Sequence, residues 1–277
     1  MTVHTRRPRP SERPSRSRAG RVPVFAVAGG VAVLALLASG CGADASDDSS
    51  PDHRSFALQG KTLTVDSDNS ALELVPADVD KVEVTRWFQG RVAIGSDPKV
   101  TWSMKDDRLT LRLRCSGVFA NCSVKHRVEV PRDVAVNVKN HDGSVRASGF
   151  STALTLRTDD GSVRVQDSTG RLEMHSDDGS LRASGIRARQ ISADTRDGSI
   201  RLELATVPNR VDVSSHDGSV TVDLPRSDPA DGSATAYHVT AKSHDGGVDV
   251  SVPRDNRSPH LVTAESRDGK VTVRNAN

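Results

Sequence analysis

From about residue 136 to the end, apolar and polar positions alternate with a period of two, and the alternation stops and restarts at seven Asp-Gly pairs. These are Asp142-Gly143, Asp160-Gly161, Asp178-Gly179, Asp197-Gly198, Asp217-Gly218, Asp245-Gly246 and Asp268-Gly269. Six, four and two places before the Asp stand residues such as Leu154-Leu156-Thr158, Leu172-Met174-Ser176 and Val211-Val213-Ser215. Three and five places after it stand Val163-Val165, Leu181-Ala183 and Val220-Val222. Alternation of this kind marks a strand with one buried face. Each unit therefore predicts a strand, a corner and a second strand. The inward positions change parity across the corner, as they must if the chain bends there and keeps its apolar side inside.

Successive corners lie 18, 18, 19, 20, 28 and 23 residues apart. A period near 20 calls for a repeat architecture, in which units that cannot bury an apolar stripe alone do so by stacking. The expected fold is all-β: a right-handed single-stranded β-helix, or β-solenoid, with about 18–20 residues per turn, its hand taken from the crossover rule for parallel strands. The competing arrangement is a meander of hairpins, since Asp-Gly between alternating strands is also a hairpin signal. One register kept over seven units favours the solenoid.

Between residues 56 and 135 the register persists in degraded form. Leu63, Val65 and Ser67 lead to Asn69, with Leu72 and Leu74 beyond; Val100, Trp102 and Met104 lead to Asp106, with Leu109 and Leu111 beyond. Val82-Glu83-Val84 and Val128-Glu129-Val130 are expected in intermediate turns. The segment reads as atypical capping turns of a domain spanning 56–277, with Trp87, Phe88, Trp102 and Phe119 available to close the core. A separate small β domain up to about residue 130 is the alternative. Arg226 to Thr235 and Arg254 to Pro259 follow prolines and read as loops, and the strand Val271-Thr272-Val273 is expected to leave an open edge for self-pairing. No helix is predicted after residue 41.

Residues 1–40 are of another kind. Seven arginines and one acid, Glu12, precede an apolar run from Val22 to Ala38, the n-region and h-region of an export signal. The run ends Leu37-Ala38-Ser39-Gly40-Cys41, which resembles the lipobox of bacterial lipoproteins, with Ala38 where that motif usually has Leu. The resemblance implies cleavage before Cys41 and lipidation of Cys41, so that residues 41–55 form a flexible tether to a cell-membrane-anchored domain on the extracytoplasmic side. An uncleaved signal anchor is the alternative, and both export the remainder. The leader carries +6 of a whole-chain net charge of +2, leaving −4 on the mature part. A basic footprint for nucleic acid is thereby absent. Outside the cytoplasm Cys115 and Cys122 are expected to pair in a disulfide, with free thiols or a redox pair the alternatives.

The Asp-Gly corners between Val-x-Val strands, the lipobox and the strand-only body together resemble the bacterial putative-adhesin domain family, whose members form β-solenoids on surface proteins and lipoproteins. The resemblance covers roughly residues 60–277. The family's function is unknown, and the resemblance implies the fold and a location at the envelope; the reading adopted from the residues is a binding or scaffolding element there, with an envelope polymer or surface protein as partner, and no enzyme. Family members more often carry Ser-Gly-Asp at the corner, where this chain has Asp-Gly-Ser.

Candidate chemistry is sparse. A column of aspartates invites Ca²⁺, with Asp159, Asp160, Asp177 and Asp178 the candidate ligands. The simpler account is that Asp and Gly suit a tight corner, Asp bonding its own backbone and Gly accepting positive φ. No cofactor is implied. Ser215-His216-Asp217 and Ser243-His244-Asp245 spell a hydrolase triad, but neighbours on a strand point to opposite faces. Aromatic residues are 3% of the chain, which leaves a carbohydrate-active β-helix few stacking platforms. Arg146, Arg164, Arg182 and Arg201 form an outward column suited to an anionic polymer of the envelope, a solvated ladder balanced by neighbouring acids being the simpler account. Envelope-stress sensing or assembly is a further reading.

Overall fold

In the computed structural model, residues 44–227 and 232–276 are described; the leader and Cys41 lie outside them. The two strands of each Asp-Gly unit belong to different sheets, one of 11 strands and one of 10. The corner therefore turns the chain from sheet to sheet and does not fold it back. Along one sheet Leu154 sits beside Leu172, Leu172 beside Ile191 and Ile191 beside Val211; along the other the series is Val163, Leu181, Ile200, Val220. All these pairs are parallel and in register, and their side chains are buried between the sheets in one continuous core. The body is a β-solenoid, as the repeat predicts.

The corner glycines are required for space. Only Gly143 has a left-handed φ, at 112°. A Cβ on Gly161, Gly179, Gly198 or Gly218 would lie 2.1–2.2 Å from the carbonyl oxygen of the glycine in the turn below. Tolerance of positive φ thus accounts for one corner, and close approach of stacked backbones is the general cause.

Both ends depart from a simple stack. At the C-terminal end, Leu261–Ser266 lies between Arg210–Ser215 and His238–Ser243, and Val271–Asn275 lies between Val220–Leu224 and Val248–Ser251. The last repeat is an interior layer, so the open edge expected at Val271-Thr272-Val273 is instead formed by His238–Ser243 and Val248–Ser251. The 28-residue interval before Asp245 supplies the length to step over one layer. Tyr237, fully buried, pins the step by donating from its hydroxyl to the Pro225 carbonyl at 2.8 Å.

At the N-terminal end, the turn at Asn69 stacks directly under the one at Asp142, with Val65 beside Val138 and Leu72 beside Val145. The 72 residues between those corners form no intermediate turns. Lys99–Lys105 and Arg108–Arg114 make an antiparallel hairpin through Asp106 and Asp107, whose φ values of 49° and 55° are those of a two-residue hairpin loop. Val82–Arg91 runs antiparallel to Asn121–Pro131, Val84 opposite Val128. Alternation alone does not distinguish an arc from a hairpin, which is why Asp106 read as a corner. Arg108–Arg114 and Asn121–Pro131 do extend the parallel stack under Thr62–Asn69 and Ala71–Ala77. The cap is integral to the solenoid.

The expected tether is shorter than 41–55. Asp52–Phe56 is an edge strand antiparallel to Val82–Arg91, and Ala45–Asp47 is a short 3-10 turn with Ala45 buried. Asp48 accepts from the Phe88 backbone N–H at 3.0 Å. Phe56 and Trp102 meet edge to face at 6.4 Å, with the Arg86 guanidinium 4.4 Å from the Trp102 ring centre. These close the core, whereas Phe119 is 83% exposed.

Beneath this cap His126 is buried, its Nδ1 2.7 Å from Ser70 Oγ, and burial followed by the Arg86 charge lowers its pKa from 6.5 to about 3. Below pH 6.5 the unfolded chain binds a proton that the folded chain refuses. Stability should therefore fall from about pH 6.5 toward pH 3, by up to about 1.4 kcal/mol per pH unit. Denaturant titrations should show His126→Leu flattening that segment of the profile; an unaltered profile refutes the assignment. Gly179→Ala should cost about 1–3 kcal/mol by overpacking, while Gly247→Ala, with nothing within 4 Å of its Cβ position, should melt as the wild type does.

Candidate functional site

The strand before each corner ends in a small polar residue that points inward, and this residue ties one turn to the next. Ser176 Oγ donates to the Gly161 carbonyl at 3.1 Å, Thr195 Oγ1 to Gly179 at 3.1 Å, Ser215 Oγ to Gly198 at 2.9 Å and Ser266 Oγ to Gly218 at 2.8 Å. At the start of the stack Asn140 does both jobs, its amide donating to the Gly143 carbonyl of its own corner at 2.9 Å and to the Ser70 carbonyl of the turn below at 3.4 Å. The pattern is visible in the sequence only as a polar letter at an inward position, which alternation alone treats as an exception.

The ladder decides the Ser-His-Asp question. Ser215 and Ser243 hydroxyls donate inward to glycine carbonyls. His216 lies outside with Nδ1 against Asp217 at 2.8 Å and Nε2 accepting from Arg267 at 2.9 Å. Nucleophile and base face away from each other.

The corner aspartates stand in register, Asp142 beside Asp160, Asp160 beside Asp178 and Asp178 beside Asp197. Basic neighbours pair with the acids one place before the corners, Asp159 and Asp177. His141 Nδ1 is 2.5 Å from Asp159, and that hydrogen bond, ahead of the Asp142 charge, raises the His141 pKa. Asp177 accepts from Arg196 at 2.9 Å and lies 3.6 Å from His175. Two of the four expected calcium ligands are thus already engaged. Asp197, His216 and Asp217 converge within 4.8 Å on the surface. There the His216 hydrogen bond lowers the Asp217 pKa, and the hydrogen bond to Asp217 raises that of Asp268.

The strand after each corner carries the arginine column outward. Arg146 is beside Arg164, Arg164 beside Arg182 and Arg182 beside Arg201, a spacing of about 4.8 Å per turn. The four are not equivalent. Arg201 donates to Asp223 at 3.0 Å, and Asp223, whose side chain is only 5% exposed, also accepts from Arg274 at 2.6 Å. At the other end the column position is Glu73, held at 2.9 Å by both Lys125 and Arg127. Arg146, Arg164 and Arg182 between them have no carboxylate partner among the described residues. With Ser144, Ser162 and Ser180 they line a surface groove of about 240 Å³. The serines escaped sequence reading because they fall within the turn.

Stacked two-strand turns and a corner ladder define a β-solenoid. Residues 121–256 match the family model described as Toastrack DUF4097. Among solved structures, a putative adhesin from Bacteroides fragilis is similar at 15% identity, TM-score 0.45, covering 83% of this chain and 98% of that one. One from Parabacteroides merdae gives 13%, 0.36, 81% and 96%, and a putative cell adhesion protein from Clostridium sporogenes 10%, 0.33, 82% and 100%. No curated protein matches the chain. Among the described residues no helix is long and apolar enough to cross a membrane.

Ser215→Ala should lower unfolding free energy by about 1–2 kcal/mol, because the Gly198 carbonyl loses a buried donor. Ser215→Thr should retain most of it; equal loss in both would refute the ladder as its source.

Proposed function

We propose that this protein is a lipid-anchored display domain of the cell envelope, attached through Cys41, exposed on the extracytoplasmic side, and binding an anionic envelope polymer along Arg146, Arg164 and Arg182. The observation that carries the reading is that none of these three guanidiniums has a carboxylate partner among the described residues, Arg146 donating only to the Ser144 hydroxyl at 3.3 Å, while the parallel register holds them in line between acids at both ends. Three arginines without carboxylates on one rigid face are a row of donors at a fixed repeat, suited to phosphate, sulfate or carboxylate groups along a chain. Serine hydroxyls beside them supply neutral donors. A rigid sheet holds the row without ordering cost at the moment of binding. The leader and the Leu37-Ala38-Ser39-Gly40-Cys41 motif support export and anchoring.

The test is binding of the mature body to isolated envelope and to defined polyanions at several salt concentrations. Replacing Arg146, Arg164 and Arg182 with Ser should weaken binding by about ten-fold or more, at roughly 0.5–1 kcal/mol for each exposed charge, and flatten the salt dependence. Arg201→Ser should do less to binding, since its charge is already taken by Asp223. Unchanged envelope binding in the triple variant would remove the proposal.

A further inference from the structure

At the cap end, the corner between Arg108–Arg114 and Asn121–Pro131 is drawn out into a finger. Ile94–Gly95 pairs antiparallel with Gly117–Val118, and Cys115 and Cys122 are joined by a disulfide across the base, Cα to Cα 6.3 Å. Ile94, Val118 and Phe119, at 68%, 52% and 83% exposure, stand together at its end and are the most exposed large apolar side chains among the described residues. Elsewhere the solenoid buries nearly every such group, so an apolar cluster presented on a cross-linked support calls for an occupant.

Position in the chain points to one. Ala45 lies against this finger's base, its N–H 3.3 Å from Ser123 Oγ, next to Cys122. Cys41 is four residues from Ala45, a reach of at most about 14 Å. Whatever holds Cys41 at a membrane holds the finger close to that membrane. Arg91, Lys99 and Arg114 flank the finger, Arg91 opposite Asn121 and Lys99 opposite Arg114, and all three are exposed. Asp44, Asp47 and Asp97 are the exposed acids nearby. Apolar side chains at the end with cations behind them match a bilayer interface, acyl boundary first and headgroups next.

We infer that the disulfide-closed finger is a second membrane contact, inserting Phe119, Ile94 and Val118 into the lipid surface beside the anchor and setting the solenoid's orientation on it. The inference rests on the anchoring part of the proposed function and is independent of the arginine column. A lipid chain alone leaves a domain free to swivel. A second apolar contact beside it fixes which face looks outward.

The chain to test is residues 41–277 with Cys41→Ser, which carries no acyl group and retains the complete cap. On vesicles of phosphatidylcholine containing phosphatidylglycerol this protein should co-sediment, and Phe119→Trp should add a blue-shifted emission component on vesicle addition. Replacing Ile94, Val118 and Phe119 with Ser should lower the partition coefficient about ten-fold or more, since burying one large apolar side chain is already worth that factor. Equal partition of the two proteins, or no emission shift, overturns the inference. A dimer in sedimentation that the triple variant loses, without vesicle binding, overturns it in favour of a second copy as the occupant. Lipidation of Cys41 is read separately, by metabolic labelling with a fatty acid, so failure of anchoring and failure of the finger contact are told apart.

Discussion

The structure depends on how closely two corners can be stacked. At Gly161, Gly179, Gly198 and Gly218 the backbone of one turn rests against the carbonyl of the turn below with no room for a side chain. A hydroxyl or amide two residues before the Asp supplies the donor that the carbonyl needs. Remove the glycine and the layers part; remove the hydroxyl and a buried acceptor is left unsatisfied. Everything periodic in the molecule, including the aspartate and arginine columns, inherits its spacing from this contact.

Much of this was legible because period-two alternation and a fixed offset from Asp-Gly are both properties of local sequence. Parity change at the corner separated an arc from a hairpin for the seven regular units. It failed at Asp106, where the apolar letters have the same spacing and a pair of residues with positive φ closes a true hairpin. Order along the stack was also hidden. Nothing in Val262 or Val271 says that their turn lies between those of Val213 and Val250, because layer order is decided by loop length and by where Tyr237 is buried, not by strand pattern. The candidate surface was half legible. Register placed the four arginines in a line, but only the fold shows Asp223 neutralising Arg201 and leaving three.

Charge follows the same logic as packing. In a parallel in-register stack identical residues must be neighbours, so a repeat that keeps Asp at a corner builds a row of like charges. Beside that row His141 and Arg196 pair with Asp159 and Asp177, the acids one place before the corners, and so bring positive charge next to it. On the other sheet the chain leaves the arginines unrelieved over three turns. An identical physical constraint is thus answered on one side and left open on the other.

The stepped-over layer has a consequence for how the chain can be shortened. In an ordinary linear array the final repeat is a detachable lid, and cutting it away leaves a shorter array intact. Here the final residues are a wedge between two earlier layers, so deleting from the C-terminus opens a slot inside the body and strands the turn beyond it. The closing segment of the chain acts as a keystone, and the end of the molecule holds together only after the last strand has been threaded home.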